Sequence, residues 1–192
     1  MKKSISILSI CGSLRSNSSN YAIVNALAAL VPENIDFIRY NGLADLPAFD
    51  DSLDEPLPVT ELRKQITDAD GVFICTPEYA FGVPGALKNA LDWTVGSGEL
   101  AGKPVAVITA ATGGENAHAS LLLTLKALSA RIADEGSAII SHVRAKLDDK
   151  GNLADAKTIN ILKSVLDKLI VNINNSKELE SILNADKLNI EC

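Results

Sequence analysis

The sequence predicts one α/β domain built on a doubly wound, five-stranded parallel sheet with helices on both faces. Short runs rich in β-branched residues alternate with longer helix-like segments, a pattern typical of βαβ units. Two of these runs, residues 72–75 and 105–108, are almost entirely apolar, as expected for central parallel strands that are covered on both faces. The length of 192 residues fits one domain better than two.

The individual elements follow from this alternation. The strands are predicted at residues 5–10, 35–40, 72–76, 105–110 and 138–143. The helices are predicted at residues 21–30, 61–69, 85–94, 119–133 and about 154–171. Residues 172–176 have the composition of a linker, and Leu179, Ile182 and Leu183 recur beyond it at helical spacing. We therefore place the domain at residues 1–173 and a tail, a short amphipathic helix, at residues 174–192.

The predicted topology also says where a site should lie. Right-handed crossovers favour the strand order 2-1-3-4-5, in which the winding direction reverses between strands 1 and 3. Ligands of such sheets bind at this reversal, beyond the carboxyl ends of the strands. We therefore expect the functional residues in the loops that follow strands 1, 3 and 4.

Charge, hydropathy and cysteine content exclude several classes of protein. The net charge of −6 argues against general attraction to nucleic acid. Apolar runs fall short of the roughly 18 residues of a membrane span, and residues 4–10 are too short and too interrupted for a secretory signal, so we expect a cytoplasmic protein. Cys11, Cys75 and Cys192 are too widely spaced for a disulfide framework or a zinc site. We interpret Cys11 and Cys75 as buried small hydrophobes, and no metal site is predicted.

The loop after strand 1 is rich in groups that bind anions. Residues 12–20 hold serines, asparagines, one glycine and one arginine, and a helix follows directly. The N-terminus of a helix carries free N–H groups and a partial positive charge, and Arg15 can add a charge-assisted contact to phosphate. The alternative is an ordinary serine-rich turn, which needs a single N-cap residue. The absence of GxxxxGK[ST] and GxGxxG disfavours a nucleoside triphosphate.

The loops after strands 3 and 4 suit a flat ligand. Residues 76–85 combine prolines and glycines with Tyr79 and Phe81, and backbone groups of such a loop can bind the polar edge of a planar ring. A buried turn is the alternative for Phe81 and for Trp93, and we assign Glu78 a structural pairing with a base or a backbone amide. Gly113 and its neighbour Gly114 allow a ligand to approach the backbone after strand 4. A ligand with a phosphate at one end and a planar ring at the other fits all three loops, and FMN has this form.

Two long motifs resemble one family. The string Gly12-Ser13-Leu14-Arg15-x-x-Ser18-x-Asn20 is followed by Thr76-Pro77-Glu78-Tyr79 and by Pro84-Gly85-x-Leu87-Lys88-Asn89-Ala90-x-Asp92-Trp93. Together they resemble the NADPH-dependent FMN reductases, a family of flavodoxin-like quinone, chromate and azo reductases. Residues 46–51 resemble the family's segment after strand 2, and the resemblance covers roughly residues 4–145.

The resemblance implies a set of cofactor-binding residues. Those expected at the FMN phosphate are Ser13, Arg15, Ser18, Ser19 and Asn20, and those expected along the isoalloxazine ring are Pro77, Glu78, Tyr79, Ala80, Phe81, Ala111, Thr112 and Gly113. The family often has Asn at the position of Ala80 and Ser at that of Gly82, so ring binding here must depend on backbone groups. No residue is assigned a catalytic role, because the flavin carries the chemistry.

The resemblance further implies a ping-pong reaction, in which a hydride passes from NADPH or NADH to FMN and electrons then pass to a small acceptor. A quinone, a free flavin, chromate and an azo compound all remain open as acceptors. Family members are usually homodimers or homotetramers, and we expect the same here. Two alternatives stay open: a flavodoxin-like electron carrier and a non-catalytic flavin-binding module.

Overall fold

A computed structural model of the chain describes residues 5–51 and 55–190, with the side chains of residues 180 and 183–190 excepted. Its five strands are all parallel and lie in the order β2-β1-β3-β4-β5, which confirms the predicted fold. The strands are β1 (Ile5–Cys11), β2 (Ile35–Tyr40), β3 (Gly71–Thr76), β4 (Pro104–Ala110) and β5 (Arg131–Ile140). The helices are α1 (Ser19–Leu30), α2 (Leu57–Asp68), α3 (Gly85–Asp92), α4 (Glu115–Ala127) and α5 (Ala156–Ile190), with a short 3₁₀ helix, η1 (Val143–Lys146), before α5.

The two faces of the sheet are covered by different helices. Every residue of β3 and β4 is buried, as the apolar runs predicted. One core cluster joins α2, α3 and α4 to the sheet, and the other joins α1 and α5 to the opposite face. Burial of apolar surface stabilises the packing of the helices on both faces of the sheet by about 25 cal/mol per Å². This packing holds the loops at the carboxyl ends of the strands in place.

The fifth strand differs from its prediction. It begins at Arg131 rather than 138 and ends at Ile140 rather than 143, and α4 ends at Ala127 rather than 133. Ser129 adopts a left-handed φ of 58° just after the helix. Pairing with β4 then starts at Arg131, breaks at an irregularity between Val105 and Val107, and resumes at Ser137. The polar residues inside this bulge hide the start of the strand from pattern analysis.

The last helix also differs from its prediction. Residues 172–176 are not a linker, since α5 continues without a break from Ala156 to Ile190. Ile173 is fully buried, and a Cβ placed on Gly71 would lie 2.6 Å from its Cδ1 atom, so the helix packs directly on the amino end of β3. Asn172 donates from Nδ2 to the Arg131 carbonyl at 2.9 Å. These tertiary contacts override the low helix propensity of the asparagines.

The boundary drawn at residues 173 and 174 therefore falls inside a helix. Within the predicted tail, Leu179 and Ile182 are exposed. The side chain of Leu183 and the residues 1–4 and 191–192 of the predicted domain and tail, including Cys192, lie outside the described part of the chain.

Candidate functional site

The three loops singled out by the sequence meet around one cavity of about 410 Å³. Most of the predicted cofactor-binding residues line it: Arg15, Ser18, Ser19, Asn20, Pro77, Glu78, Tyr79, Ala111 and Thr112. Four do not. Ser13 is fully buried, Ala80 and Phe81 lie at the tip of a turn, and Gly113 is not among the lining residues.

The loop after β1 approaches β3 closely. The N–H of Gly12 donates to the Cys75 carbonyl at 2.8 Å. A Cβ on Gly12 would lie 2.8 Å from both Thr76 Oγ1 and Leu87 Cδ2, so this position requires glycine. The loop then ends at Ser18, the N-cap of α1, whose Oγ accepts the N–H of Asn20 at 3.3 Å. The start of α1 therefore faces the cavity with its N-terminal partial charge.

Asn20 fixes this loop rather than offering free polar atoms. Its side chain is 2% exposed. Its Nδ2 donates to the Ala110 carbonyl at 3.1 Å, and its Oδ1 accepts a hydrogen bond from Cys75 Sγ at 3.1 Å. Burial raises the pKa of the Cys75 thiol, which keeps the donor proton in place. Asn20 thus connects the start of α1 to both β3 and β4.

Cys11 and Cys75 are free and buried, which confirms their interpretation as small core residues. Burial also raises the pKa of the Cys11 thiol. Neither thiol lines the cavity, and a thiol kept protonated is a poor nucleophile.

The loop after β3 contains a tight two-residue turn. The N–H and carbonyl groups of Tyr79 and Gly82 pair with each other at 3.0 Å in both directions. The two residues between them, Ala80 and Phe81, have left-handed φ values of 49° and 61°. This is the backbone of a type I′ turn, which favours asparagine and glycine. The side chain of Phe81 is 80% exposed.

Glu78 joins the loop after β3 to the loop after β4. Its Oε2 accepts the N–H of Ala117 at 2.8 Å, so this carboxylate supplies the N-terminal cap that α4 lacks from its own N-cap, Gly114. Gly114 has a φ of 125°, a backbone conformation that is strained for any residue with a Cβ. The predicted pairing of Glu78 with a backbone amide is present.

Part of the cavity lining lies outside the sequence prediction. Asn17 and Ala110 line the cavity, and a further wall is formed by the segment that follows β5, residues 142–145. The N–H of His142 donates to the Thr112 carbonyl at 3.1 Å, and that of Val143 to the Ala111 carbonyl at 3.2 Å. The predicted fifth strand runs to residue 143, so His142 and Val143 are expected in the sheet, and Arg144 and Ala145 have no predicted role. A left-handed His142, with φ 53°, ends the strand region instead.

Two further motif residues lie away from the cavity and anchor the segment after β2. Asn89 Nδ2 and Trp93 Nε1 both donate to the Pro47 carbonyl, at 2.8 and 2.9 Å. Asn89 Oδ1 accepts the N–H of Phe49, and the ring of Phe49 packs edge-on to Trp93 with centroids 5.1 Å apart. The indole is 3% exposed, so the core interpretation of Trp93 is confirmed.

His118 is also outside the cavity. Its Nδ1 lies 2.9 Å from Thr109 Oγ1, and burial lowers its pKa. The imidazole therefore holds α4 against β4 in its neutral form, in agreement with a structural role.

A family model for NADPH-dependent FMN reductases matches residues 5–145, which hold every loop of the cavity. The chain belongs to this family. The FMN reductase fold places the reversal between β1 and β3 beneath the cavity, as the sequence predicted. The chain is thus an oxidoreductase that uses FMN with NAD(P)H.

Relatives of this FMN reductase support the same assignment. It is 33% identical over 172 residues to a 2-hydroxy-1,4-benzoquinone reductase of Burkholderia sp., covering 85% of this chain and 93% of the relative. It is 32% identical over 177 residues to an NAD(P)H-dependent FMN reductase of Pseudomonas aeruginosa, covering 88% of this chain and 95% of that one. The solved structure of FerB, a flavoenzyme NAD(P)H:(acceptor) oxidoreductase from Paracoccus denitrificans, superposes with a TM-score of 0.74 at 28% identity, covering 90% of this chain and 98% of FerB.

Within residues 5–51 and 55–190, no helix combines the length and apolar character needed to cross a membrane. In the same ranges, no group of three or more His, Cys, Asp and Glu side chains is arranged to bind a metal ion.

Proposed function

We propose that the protein is an FMN-dependent NAD(P)H oxidoreductase that reduces a small acceptor, with the FMN phosphate held by the loop after β1 and the ring by the loops after β3 and β4. One observation carries this proposal. A guanidinium with no partner in the described chain, Arg15, lines the same cavity as the start of α1 and the backbone of residues 77–79. The cavity of about 410 Å³ is within the range of small-molecule sites.

The phosphate end of the cavity fits FMN. Ser18 and Ser19 lie at the start of α1, where helix N–H groups have no intrahelical acceptor. Arg15 is exposed and forms no ion pair among the described residues. Hydroxyls, free N–H groups and one cation are the donors that a phosphate monoester accepts.

The ring end of the cavity offers backbone groups. Pro77, Glu78 and Tyr79 line one wall, and Ala111 and Thr112 line another. The Glu78 carboxylate is occupied by the Ala117 N–H, so the side chain orients the wall. A serine at position 82 would meet only the Tyr79 carbonyl, at 3.8 Å from its Cβ, and its absence here leaves recognition of the ring to the backbone.

The reaction needs little acid–base chemistry from the protein. Bound FMN supplies the redox chemistry, since it can take a hydride from NAD(P)H and give electrons to a second molecule in ping-pong order. The chain's own residues would bind the phosphate and position the ring wall.

The acceptor class that we propose first is a quinone. The relatives named above include a benzoquinone reductase that aligns over most of both chains. A free flavin, chromate and azo compounds are the further acceptors that the sequence left open. A cytoplasmic location and a homodimer or homotetramer remain predictions.

The experiment is a visible spectrum of the purified protein, followed by additions without air. The flavin absorption near neutral pH should bleach on addition of NADPH or NADH and return on addition of a benzoquinone. Bleaching by a nicotinamide without a protein partner would separate a reductase from a flavodoxin-like carrier. A preparation that neither holds nor takes up FMN would overturn the proposal.

A further inference from the structure

The wall formed by the segment after β5 brings a second arginine to the cavity. Arg144, in η1, lines the cavity together with Arg15. Both residues are exposed, and neither guanidinium has an ion pair or a hydrogen-bond partner in the described part of the chain. Two like charges that share a cavity repel each other unless an anion lies between them. Their presence in a chain with a net charge of −6 marks a local reversal of charge.

The backbone that carries Arg144 is firmly fixed. Val143 is 5% exposed and belongs to the core cluster that contains Ile23 and Val24 of α1. Its N–H is bound by the Ala111 carbonyl. The preceding residue, His142, is held at a φ of 53°, a left-handed conformation that is strained for a residue with a Cβ. Strain of this kind persists where the surrounding contacts impose it, and it is concentrated at functional sites.

The segment that leads into η1 lies beside the start of α1, the helix whose first turn we assign to the phosphate. The segment before it pairs with the residues directly after β4, Ala111 and Thr112. Asn20, in the first turn of α1, donates to the neighbouring Ala110 carbonyl. The start of α1 and the segment after β5 thus flank the same end of β4.

We propose that Arg144 is a second phosphate-binding residue, and that its guanidinium and that of Arg15 together bind the 5′-phosphate of FMN. A phosphate monoester carries a charge of about −1.5 to −2 near neutral pH. One arginine therefore offsets only part of the charge, and a second compensates the remainder. This inference rests on the proposed function, since it assigns a further residue to the same cofactor.

The test compares FMN with riboflavin, which lacks the phosphate. Protein freed of flavin is titrated with each compound, and binding is followed by flavin fluorescence. Arg144→Ala should raise the Kd for FMN about ten-fold or more, as loss of one charge-assisted hydrogen bond does, and leave the Kd for riboflavin unchanged. Arg144→Lys keeps the positive charge but lacks the planar guanidinium that can donate two parallel hydrogen bonds, so it should give an intermediate Kd for FMN.

Lys150→Ala is the matched control. Lys150 is exposed and lies a short distance along the chain from Arg144, outside the cavity. Its removal takes away one positive charge from the same region and should leave both Kd values unchanged. A thermal melt of each variant shows whether the fold is intact, which is expected because the Arg144 guanidinium forms no ion pair among the described residues.

The outcomes separate this inference from the proposed function. Wild-type protein that binds neither flavin would overturn the proposed function and the inference with it. If the Arg144→Ala protein binds FMN as tightly as the wild type does, the inference is overturned and the proposed function stands. If Arg144→Ala lowers the affinity for NADPH and leaves the Kd for FMN unchanged, Arg144 binds a phosphate of the nicotinamide substrate. That result would contradict its assignment to FMN.

Discussion

The hydroxyl of Ser13 lies 3.2 Å from the phenol oxygen of Tyr79, and this contact joins the loop after β1 to the loop after β3. Ser13 is fully buried, and its Oγ also accepts the N–H of Arg15 at 3.3 Å. The family motif residue Ser13 thus sets the backbone of Arg15 and the ring of Tyr79 relative to each other. The two ends of the cavity are coupled through one hydroxyl.

Arg15→Ala should weaken FMN binding markedly while leaving the fold intact. The guanidinium has no partner in the described chain, so its removal costs the folded state little. The Kd for FMN should rise about ten-fold or more, and the Kd for riboflavin should not change. Equal retention of FMN by the variant and the parent would remove Arg15 from the phosphate site.

Tyr79→Ala should lower turnover more than it lowers FMN affinity. Tyr79 lies on the ring wall of the cavity and is 43% exposed, whereas the phosphate donors belong to another loop. Tyr79→Phe separates the two functions of the side chain, because it keeps the ring and removes the bond to Ser13. Steady-state rates that stay at the parental value in both variants would show that Tyr79 takes no part in the site.

Glu78→Ala should destabilise the fold. The Ala117 N–H loses its acceptor, and removal of a helix cap costs about 0.5–2 kcal/mol. Glu78→Gln is the matched control, since its amide oxygen can still accept the bond. Urea unfolding measures both, and an unfolding free energy in Glu78→Ala equal to that of the parent would contradict the capping role.

Ala80→Gly should stabilise the fold or leave it unchanged, against the usual effect of glycine. The left-handed φ of 49° strains alanine, and glycine relieves a strain of about 1–2 kcal/mol at a smaller entropic cost. The same change at Ala29, exposed in α1, should destabilise by about 1 kcal/mol. Equal losses of unfolding free energy at the two positions would show that the turn is not strained.

His118 should make the protein less stable below neutral pH. Burial lowers its pKa in the folded state, so the unfolded chain takes up the proton first as the pH falls through the ordinary histidine value of about 6.5. The contribution to stability is therefore intact above that pH and declines as the pH falls towards the folded-state pKa. His118→Asn, which keeps a polar atom near Thr109 Oγ1 and does not titrate, should show a smaller loss of unfolding free energy between pH 7.5 and pH 5.5. A loss equal to that of the parent would assign the acid sensitivity to other groups.

Much of this architecture could be predicted because its signals are local and repeated. The buried strands β3 and β4 show as apolar runs, and right-handed crossovers then restrict the strand order. The same topology predicts that Arg15, Tyr79 and Thr112 lie at one edge of the sheet. Chain topology and periodicity are sufficient for these features.

The remainder depends on tertiary contacts that the pattern does not show. The irregular pairing before Ser137 interrupts the strand pattern, so the start of β5 is not predicted from the sequence. The left-handed residue His142, which the pattern does not show, follows the end of the strand. Arg144 follows the predicted end of that strand, and no pattern in the sequence indicates that it lines the cavity. The asparagines of residues 172–176 predict a linker. The segment is helical because the packing of Ile173 on Gly71 outweighs the low helix propensity of these asparagines.

A crystal structure of the protein grown with FMN would show directly where the phosphate and the ring bind. We expect the phosphate within hydrogen-bond distance of the Arg15 guanidinium and the first N–H groups of α1, with the ring against residues 77–79 and 111–112. A phosphate bound elsewhere, with Arg15 still in solvent and the start of α1 without a ligand, would contradict this expectation.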